Sequence, residues 1–379
     1  MSDIYRAKVY FTSNVFSEKE IGSNKKISKE IRKTIKELWE ELTKISELKI
    51  FEGRFPTEDQ IQHDIEIFNP DILGCHLSHQ ISSKMLEKSQ IFAISTSTVG
   101  YNHIQRTKED NIIITNTPGV LHKTVADYTI ALIMANLRNL IDLHNYIWNN
   151  QWDSTNKWDL DNSLSSVIDN KIIGIIGLGE IGKELVQRLS GWNIKILYFD
   201  LKQKTDFEKK FPFLEFKTDI KDIFRESDIV SIHVPLNKNT KNLVSRDLLS
   251  VMKTDALLVN TARGGILDLN CFLDMLERKE ININIALDVF PTEPLDTKTL
   301  DRFKRIKENQ PHIRMILIPH NASADANTRG NMNIIFLKNI INLIKSNAIE
   351  DLKEIAIIPE QKKQLKDKEW RISKYWEKK

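Results

Sequence analysis

The chain has 379 residues, 41% of them hydrophobic, so at roughly 100 to 200 residues per domain it can form two or three domains with buried cores. Its 55 basic and 52 acidic residues leave a net charge of +3 and are interleaved along the chain, which argues against a nucleic-acid partner. The two cysteines, Cys75 and Cys271, lie far apart and outside any cysteine–histidine cluster. We therefore expect neither a disulfide framework nor a metal site.

The first six residues lack the apolar core of a signal peptide. Apolar runs such as residues 130–135 are too short to cross a bilayer. We therefore expect a soluble, cytoplasmic protein without a membrane partner, and a reducing compartment also suits its few cysteines.

The first third of the chain alternates short apolar runs with helical patterns. Residues 8–12 form the first run, and apolar residues then recur every three or four positions between 27 and 45, as on one face of a helix. Thr57 is the predicted N-cap of the next helix. Further strands are predicted at 48–51, 71–75, 91–95 and 112–115, and further helical stretches around 80–88 and 102–110. This βαβα order predicts a parallel sheet.

A second βαβ series begins at residue 171, after a predicted long helix at 124–148 and a polar segment at 149–170. Its predicted strands are 172–176, 194–199, 229–234, 257–260, 283–288 and 315–318. Such a series predicts a complete doubly wound sheet. A last long helix at 326–346 leaves no room for a new domain, so we expect it to return to the first sheet.

The last residues form a segment rich in lysine and glutamate that also carries Trp370, Tyr375 and Trp376. We expect a solvated arm whose aromatic side chains dock on the body of the protein or on a partner subunit. The predicted fold class is α/β, with two Rossmann-like doubly wound parallel-sheet domains, of which the first is discontinuous.

The glycine motif Gly177-Leu-Gly179-Glu-Ile-Gly182 follows a strand of branched aliphatic residues and opens a helix. A lone motif of this kind is weak, but the strand–turn–helix context is what a dinucleotide site requires. Gly177 permits the tight turn, Gly179 lets the backbone approach a pyrophosphate, and Gly182 allows close helix packing. The helix N-terminus attracts the anion.

Asp200 ends the second strand of this series, eighteen residues after Gly182. A carboxylate at about this distance receives the hydroxyls of the adenosine ribose and repels a 2′-phosphate. We therefore predict NAD rather than NADP, although Lys202 and Lys204 leave some tolerance for the phosphorylated form. The alternative is a strand-end aspartate that only caps a turn.

Four further polar residues follow the later strands of the series. Arg263 follows one strand, Asp288 and Glu293 the next, and His320 the last. Ligands bind at the carboxyl ends of strands in such sheets. A guanidinium can clamp a carboxylate, and a histidine beside a carboxylate is held in one tautomer. Together these residues could bind a 2-oxo acid and protonate its carbonyl; singly, each could be a surface ion pair, a loop acid or a helix cap.

At these motifs the chain resembles the D-isomer-specific 2-hydroxyacid dehydrogenases, over about residues 7 to 347. The motifs that carry the resemblance are STVGYNHI (97–104), NTPGV (116–120), VAD (125–127), GLGEIG (177–182), SDIVSIHVP (227–235), NTARGG (260–265), DVFPTEP (288–294) and PH (319–320). Asn102 and Asp127 stand where many members have aspartate and glutamate, respectively.

The resemblance implies an NAD-dependent oxidoreductase that interconverts a D-2-hydroxy acid and a 2-oxo acid. Arg263 would bind the substrate carboxylate and carbonyl, and Glu293 would hydrogen-bond His320, the acid in reduction and the base in oxidation. The implied cofactor-binding residues are Gly177, Gly179, Glu180, Ile181, Gly182, Asp200, His233, Val234, Pro235, Thr240, Thr261, Ala262 and Asp288, with Asp288 on the nicotinamide side. The implied substrate-binding residues are Val99 and Gly100, through their amides, together with His76 and Arg263.

The resemblance also sets domain boundaries. Residues 1–120 plus 321–350 would form a substrate-binding (catalytic) domain, 121–320 the NAD-binding Rossmann domain, and 351–379 a C-terminal arm. The long helix after residue 124 resembles the family's dimer-forming element, so a homodimer with a closing cleft is expected.

The substrate is indicated by the loop at 73–79, which faces the substrate side chain in the family. It lacks the arginines with which phosphoglycerate dehydrogenases of one common type hold a phosphate. We also expect no regulatory domain after the last predicted long helix. Residues 94–100 and the segment with Trp152 and Trp158 are more similar to glyoxylate and hydroxypyruvate reductases. We predict a small unphosphorylated 2-oxo acid such as glyoxylate or hydroxypyruvate.

Several alternatives remain open. The chain could be a D-3-phosphoglycerate dehydrogenase without a regulatory domain, an oxidase of a one-carbon or phosphorus oxyanion on the same scaffold, or, in another class, an NAD-sensing corepressor-like binding protein. His76 and His79 could be substrate-loop donors or ordinary surface histidines. Trp152 and Trp158 could reach the partner's active site or serve core or interface packing alone.

Overall fold

The computed structural model describes residues 5–155, 157, 159–161 and 163–379. Residues 1–4, part of the segment inspected for a signal peptide, and Trp158 lie outside the described residues. The chain divides into two compact units. Unit 1 contains the residues up to Val120 and Ala324–Lys379, and unit 2 is Leu121–Ser323.

The strands of the described residues are β1 (Ala7–Phe11), β2 (Ser46–Ile50), β3 (Ile72–Cys75), β4 (Ala93–Thr96), β5 (Ile113–Thr115), β6 (Ile172–Ile176), β7 (Lys195–Phe199), β8 (Leu214–Phe216), β9 (Ile229–Ile232), β10 (Leu257–Asn260), β11 (Asn284–Leu287) and β12 (Met315–Leu317).

The α-helices are α1 (Lys29–Ile45), α2 (Glu58–Phe68), α3 (Ser83–Glu87), α4 (His122–Leu137), α5 (Leu140–Trp148), α6 (Glu180–Arg188), α7 (Thr205–Glu208), α8 (Ile220–Glu226), α9 (Arg246–Leu249), α10 (Leu269–Glu277), α11 (Thr297–Asn309), α12 (Ala326–Lys345), α13 (Pro359–Lys362) and α14 (Ile372–Trp376). None of these helices has the length and hydropathy needed to cross a membrane.

Unit 1 is built on a parallel sheet with strand order β2-β1-β3-β4-β5. Along β1, Val9 and Phe11 face one apolar cluster and Tyr10 faces the other, as the twofold periodicity of a strand requires. The helix α12 packs against α1 and β4. Thr57 caps α2 through a capping box, as predicted.

Unit 2 is built on a larger parallel sheet with strand order β12-β11-β10-β9-β6-β7-β8. Apolar clusters cover both faces: Leu258 of β10 faces one cluster, and its neighbours Leu257 and Val259 face the other. The order reverses between β6 and β9, the switch point at which such sheets bind ligands. The predicted α/β class, with two parallel sheets and a discontinuous first unit, is confirmed.

Some predicted elements are wrong. Residues 102–110 form turns rather than a helix, because Ile104 is buried and pairs with Ile81 in an isolated bridge. The long helix predicted at 124–148 is two helices, α4 and α5, separated at Asn139, whose φ of 52° is left-handed and cannot continue a right-handed helix. Sequence periodicity also missed β8, which has three residues.

The C-terminal residues belong to unit 1, so the expected solvated arm is wrong, whereas the expected docking of its aromatic side chains on the body of the protein is confirmed for Trp370 and Tyr375. Trp370, Ile372 and Tyr375 are buried in the cluster that also contains Val9 and Phe11 of β1. The Trp370 indole donates a hydrogen bond to the carbonyl of Leu365 at 3.2 Å. The many lysines and glutamates of this segment suggested a solvated arm. Most of these charged side chains point outward, whereas the apolar side chains between them are buried.

We predict that Trp370→Ala lowers the free energy of unfolding by about 3 to 5 kcal/mol, as expected for loss of a fully buried indole. Denaturant unfolding of the full chain measures the change. The matched control in unit 1 is Phe55→Ala, which removes an aromatic ring that is 74% exposed and should cost less than about 0.5 kcal/mol. Equal stabilities of Trp370→Ala and the wild type would show that the C-terminal segment does not contribute to the core.

Candidate active site

The glycine turn between β6 and α6 has the geometry of a dinucleotide site. Gly177 has a left-handed φ of 95°, and a Cβ there would lie 2.8 Å from the carbonyl oxygen of His233. A Cβ on Gly182 would lie 2.4 Å from the carbonyl oxygen of Gly177. A Cβ on Gly179 would meet nothing within 4 Å. The outer two glycines are therefore required by packing, whereas Gly179 leaves an open backbone surface.

The first turn of α6 is suited to bind an anion at this open surface. Gly179 is the N-cap residue and provides no side-chain hydrogen bond. The amides of the first turn, Glu180 and Ile181 among them, are oriented toward the N-terminal end of the helix, where its dipole is positive. The turn thus fits the pyrophosphate of a dinucleotide.

Asp200 lies immediately after β7, next to the glycine turn. One of its carboxylate oxygens accepts a hydrogen bond from the Leu178 amide at 2.9 Å, and the other lies 3.7 Å from Nζ of Lys204. The Asp200 carboxylate therefore stabilises the glycine turn, as expected if Asp200 were only a strand-end aspartate that caps a turn. A carboxylate has further acceptor capacity, so its predicted bond to a ribose is compatible with this role.

The loop after β9 carries the next predicted cofactor residues. The His233 amide donates to the carbonyl of Ile176 at 2.7 Å, and its ring Nε2 lies 2.8 Å from Oγ of Ser231. Burial lowers the pKa of His233 to about 4, so its ring is neutral. Thr240 Oγ1 donates to the carbonyl of Pro235 at 2.6 Å and closes the turn that follows. This loop borders Gly177, where Val234 is a neighbour.

Asn260, the last residue of β10, fixes the loop that carries Arg263. Its side chain donates to the carbonyl of Arg263 at 2.9 Å and accepts from the amide of Ala262 at 3.0 Å. A Cβ on Gly264 would lie 1.9 Å from the carbonyl carbon of Phe290, so only glycine allows the two loops to approach this closely. These contacts fix the position of the Arg263 backbone, from which its side chain extends.

Arg263 is partly exposed as a residue, but Nε of its guanidinium is buried, and part of its bonding capacity is unused. Nη1 donates to the carbonyl of Ala262 at 2.7 Å, but the buried Nε has no hydrogen-bond acceptor among the described residues. Burial lowers the pKa of Arg263, although the negative charge of Glu293 opposes this shift. A buried guanidinium of this kind is suited to bind an anion, which would supply the missing acceptor.

Glu293 and His320 form a hydrogen-bonded pair. His320 Nδ1 lies 2.7 Å from one carboxylate oxygen of Glu293, and the other oxygen accepts from the Phe290 amide at 2.9 Å. Partial burial raises the pKa of Glu293, but the hydrogen bonds from His320 and Phe290 outweigh it, and the net pKa is lowered. The carboxylate is therefore ionised and accepts the Nδ1 proton, which leaves Nε2 as the reactive nitrogen of His320.

Asp288 fixes the backbone of His320 and of the two residues that follow it. The carbonyl of Asp288 accepts from the His320 amide at 2.7 Å, and its buried carboxylate accepts from the amides of Asn321 at 2.6 Å and Ala322 at 2.9 Å. His320 itself has a left-handed φ of 50°, which is uncommon outside glycine and frequent at functional sites. Burial raises the pKa of Asp288, and the two amides oppose the rise. Its contact with a nicotinamide stays a prediction.

Sequence reasoning missed the residues that position the candidate catalytic and cofactor-binding residues. These are Asn260, Gly264, Ser231 and the Phe290 amide, together with Thr129, whose hydroxyl lies 3.1 Å from that of buried Thr261. Asn260 and Gly264 lie inside a motif that signalled the family, but nothing in the sequence says which partners they contact.

In unit 1 the predicted substrate residues follow the carboxyl ends of neighbouring strands. His76 follows β3, and Val99 and Gly100 follow β4. The carbonyl of Val99 accepts from the Asn116 side chain at 2.8 Å, and that of Gly100 accepts from Thr98 Oγ1 at 2.7 Å. Both carbonyls are thus used internally, whereas the described residues form no hydrogen bond with the two amides.

His76 is a neutral donor in this structure. Burial lowers the pKa of His76 to about 3, and interactions with His79, His103, Arg329 and Arg54 act in the same direction. Its Nδ1 accepts from the Ser78 amide at 3.3 Å, so the proton lies on Nε2. Its ring stacks on that of His79 with centroids 3.9 Å apart. His79 itself is buried, with Nδ1 2.6 Å from Oγ1 of Thr12, and is therefore a packing residue rather than a surface histidine.

Unit 2 thus combines a dinucleotide-binding turn with a carboxylate–histidine pair and a buried arginine on one sheet, as in dinucleotide-dependent oxidoreductases. The family model "D-isomer specific 2-hydroxyacid dehydrogenase, NAD binding domain" matches residues 130–322. The chain is 36% identical over 295 residues to a glyoxylate reductase of Thermofilum pendens, covering 76% of this chain and 82% of that protein. A second glyoxylate reductase, of Thermococcus litoralis, is 30% identical over 73% of this chain and 81% of its own length.

The chain belongs to the D-isomer-specific 2-hydroxyacid dehydrogenase family. It is an NAD-dependent oxidoreductase that acts on CH–OH groups and interconverts 2-hydroxy and 2-oxo acids. The fold is similar to the crystal structure of a glyoxylate reductase from Paecilomyes thermophila, with a TM-score of 0.73, 20% identity and coverage of 94% of this chain and 99% of that one.

We predict that Gly179→Ala weakens NADH binding roughly tenfold while leaving Tm unchanged, since its methyl group enters the open surface and meets no protein atom. Fluorescence titration and thermal unfolding measure the two quantities. Gly191→Ala is the matched control, because its Cβ also meets nothing within 4 Å but lies after α6 rather than before it. Undiminished NADH affinity in Gly179→Ala would exclude this surface as the pyrophosphate site.

Proposed function

We propose that the protein uses NADH to reduce a small unphosphorylated 2-oxo acid, of which glyoxylate and hydroxypyruvate are the leading candidates. The observation that carries the proposal is the hydrogen bond of 2.7 Å between Glu293 and His320 on the same sheet edge as the partly unpaired Arg263. The two glyoxylate reductases that are 36% and 30% identical support this substrate class.

The residues divide the chemistry among them. The nicotinamide, when bound, supplies or accepts a hydride. Arg263 would bind the substrate carboxylate and polarise its carbonyl, the amides of Val99 and Gly100 would bind the carboxylate as well, and His320 Nε2 would hold the proton that the carbonyl oxygen receives in reduction. Glu293 would keep the ring oriented and in the tautomer that leaves Nε2 facing the substrate.

The cofactor would be held by the open turn at Gly179, the amides of Glu180 and Ile181, and Asp200. Asp200 favours NADH over NADPH, since a 2′-phosphate would be repelled by its carboxylate. The remaining predicted contacts are those of His233, Val234, Pro235, Thr240, Thr261, Ala262 and Asp288.

The substrate side chain is the second part of the proposal. His76 would present its Nε2 proton to an oxygen of the substrate, for example the hydroxyl of hydroxypyruvate. The loop at 73–79 itself contains no arginine. Of the two arginines whose charge acts on His76, Arg54 is paired with Glu20. This disfavours 3-phosphohydroxypyruvate.

A substrate screen tests this proposal. NADH oxidation is followed spectrophotometrically with glyoxylate, hydroxypyruvate, pyruvate, longer 2-oxo acids and 3-phosphohydroxypyruvate, and each assay is repeated with NADPH. We expect the highest kcat/KM for glyoxylate or hydroxypyruvate with NADH. A preference for the phosphorylated substrate would favour a phosphoglycerate dehydrogenase, a preference for NADPH would contradict the role of Asp200, and no turnover would favour an NAD-sensing binding protein.

For the catalytic residues, we predict that His320→Ala lowers kcat by roughly 10² to 10⁴ while NADH still binds, because the proton donor is lost. We also expect Arg263→Ala to lose substrate affinity and rate together, and Arg263→Lys to lower kcat/KM roughly tenfold or more, since lysine keeps the charge without the planar fork. Steady-state kinetics and NADH titration provide the measurements.

The control for these variants is Arg305→Lys, a surface arginine whose guanidinium lies 3.9 Å from Glu277. It should have wild-type kinetics. Retained activity in both His320→Ala and Arg263→Ala would reject the catalytic assignment.

We further propose that the protein is a cytoplasmic homodimer. The free cysteines Cys75 and Cys271 support a reducing compartment. The dimer is supported by α5, a helix with no buried residue although its sequence is largely apolar. Trp148 is 78% exposed, and the exposed apolar residues of this region also include Leu140, Ile141, Ile147, Trp152, Leu160, Leu164 and Val167. So many exposed apolar side chains in one stretch of the chain suit burial against a second copy of the chain.

We predict that the double variant Ile147→Asp/Trp148→Asp is monomeric, because two carboxylates would be buried unpaired at the interface. Sedimentation velocity of the full-length protein measures the mass. The control Ile67→Asp alters a single exposed apolar residue of α2 and should leave the dimer intact. A wild-type monomer, or a double variant that stays dimeric, would contradict the assignment of this surface.

A further inference from the structure

The C-terminal segment, defined as residues 349–379, extends the sheet of unit 1 beyond its edge strand β5. Ile357 forms an antiparallel bridge with Thr115, and the Ile358 amide donates to the carbonyl of Ile114 at 3.0 Å. Gln361, which is fully buried, donates to the carbonyl of Ile112 at 2.9 Å and accepts from the amide of Ile114 at 2.8 Å. The segment thus satisfies backbone groups that an open edge would expose.

The same segment contacts the loop that follows β4. The Tyr101 hydroxyl donates to both carboxylate oxygens of Glu360, at 2.9 and 2.8 Å. Arg106 Nη2 lies 3.4 Å from the same carboxylate. Burial and the neighbouring Glu360 raise the pKa of Tyr101 to about 12, so the phenol stays protonated and remains a donor. Tyr101 directly follows Gly100, so this contact fixes the loop on one side.

A second set of contacts fixes the loop on the other side. The Asn116 side chain donates to the carbonyl of Val99 at 2.8 Å, and the Asn116 amide donates to the carbonyl of Ala356 in the C-terminal segment at 3.0 Å. Asn339 of α12 completes the set: it donates to the carbonyl of Asn116 at 2.9 Å and accepts from the Ala356 amide at 3.1 Å.

From these contacts we propose that the C-terminal segment positions the Val99–Gly100 turn for the substrate, with Glu360 as a positioning residue that acts through Tyr101. The inference rests on the proposed function, in which the amides of Val99 and Gly100 bind the substrate carboxylate. Glycine loses more conformational freedom than any other residue on being ordered, so a turn containing Gly100 needs external restraint. Ala356, acting through Asn116, and Glu360, acting through Tyr101, restrain it from both sides.

The test uses Tyr101→Phe, Glu360→Ala and the double variant in the full chain, with glyoxylate and NADH as substrates. Glu360 is half-exposed, and these variants leave Trp370 and the other buried anchors of the segment unchanged, so the fold is retained. We expect each single variant to raise the KM for glyoxylate roughly three- to tenfold, the effect of one lost hydrogen bond. The KM for NADH and kcat should stay within about twofold of the wild type, because only the carboxylate anchor is loosened.

Further variants separate positioning from a general structural role. The double variant should be no worse than the stronger single variant, since both remove the same hydrogen bond. Glu360→Gln keeps an oxygen acceptor for the phenol, so its KM for glyoxylate should stay within about twofold of the wild type. Glu369→Ala, an exposed acid of the same segment, is the matched control and should have wild-type kinetics.

Wild-type turnover is measured first, and its absence with every 2-oxo acid overturns the proposed function and this inference with it. If the wild type is active, an unchanged KM for glyoxylate in Glu360→Ala overturns the positioning role alone, even where Tm falls. A raised KM in Tyr101→Phe without one in Glu360→Ala also overturns it, since Tyr101 would then act without its partner.

Discussion

The parallel order of the unit 2 sheet is the constraint on which the site depends. Parallel strands bring their carboxyl ends to one edge, so loops far apart in sequence meet there. The loops after β6, β10, β11 and β12 carry the glycine turn, Arg263, Glu293 and His320, respectively. The buried aliphatic strands hold this edge in place, and the polar loops can then be specialised for chemistry.

Two carboxylates from one loop have different tasks because their surroundings differ. The Asp288 carboxylate is buried and bound by two backbone amides, so it shapes the turn that carries His320. The Glu293 carboxylate is half-buried and bound by the His320 ring and one amide, so it sets the orientation and tautomer of the imidazole. The histidine is thus held through both its backbone and its ring, which is the preorganisation that acid–base catalysis requires.

The sequence was sufficient for features that depend on local patterns. Apolar periodicity located the sheets, and the glycine motif located the turn, because both reflect contacts between near neighbours. Prediction from the sequence failed where distant contacts override local preference. Ile104 forms a bridge with Ile81, and Trp370 of the polar C-terminal segment is buried in the core that contains β1. Asn260 and Gly264 belong to a recognisable motif, but the sequence does not show what they contact. In the fold, Gly264 lies against the backbone of Phe290, which belongs to another loop.

The central claim is that the residues at this sheet edge bind a 2-oxo acid so that it receives a hydride from NADH and a proton from His320. The product should have the D configuration that is typical of the family. The most direct measurement is the configuration of the glycerate that the purified protein forms from hydroxypyruvate and NADH, determined by chiral chromatography. The account predicts D-glycerate in an amount equal to the NADH consumed. Formation of L-glycerate, or NADH consumption without glycerate, would contradict it.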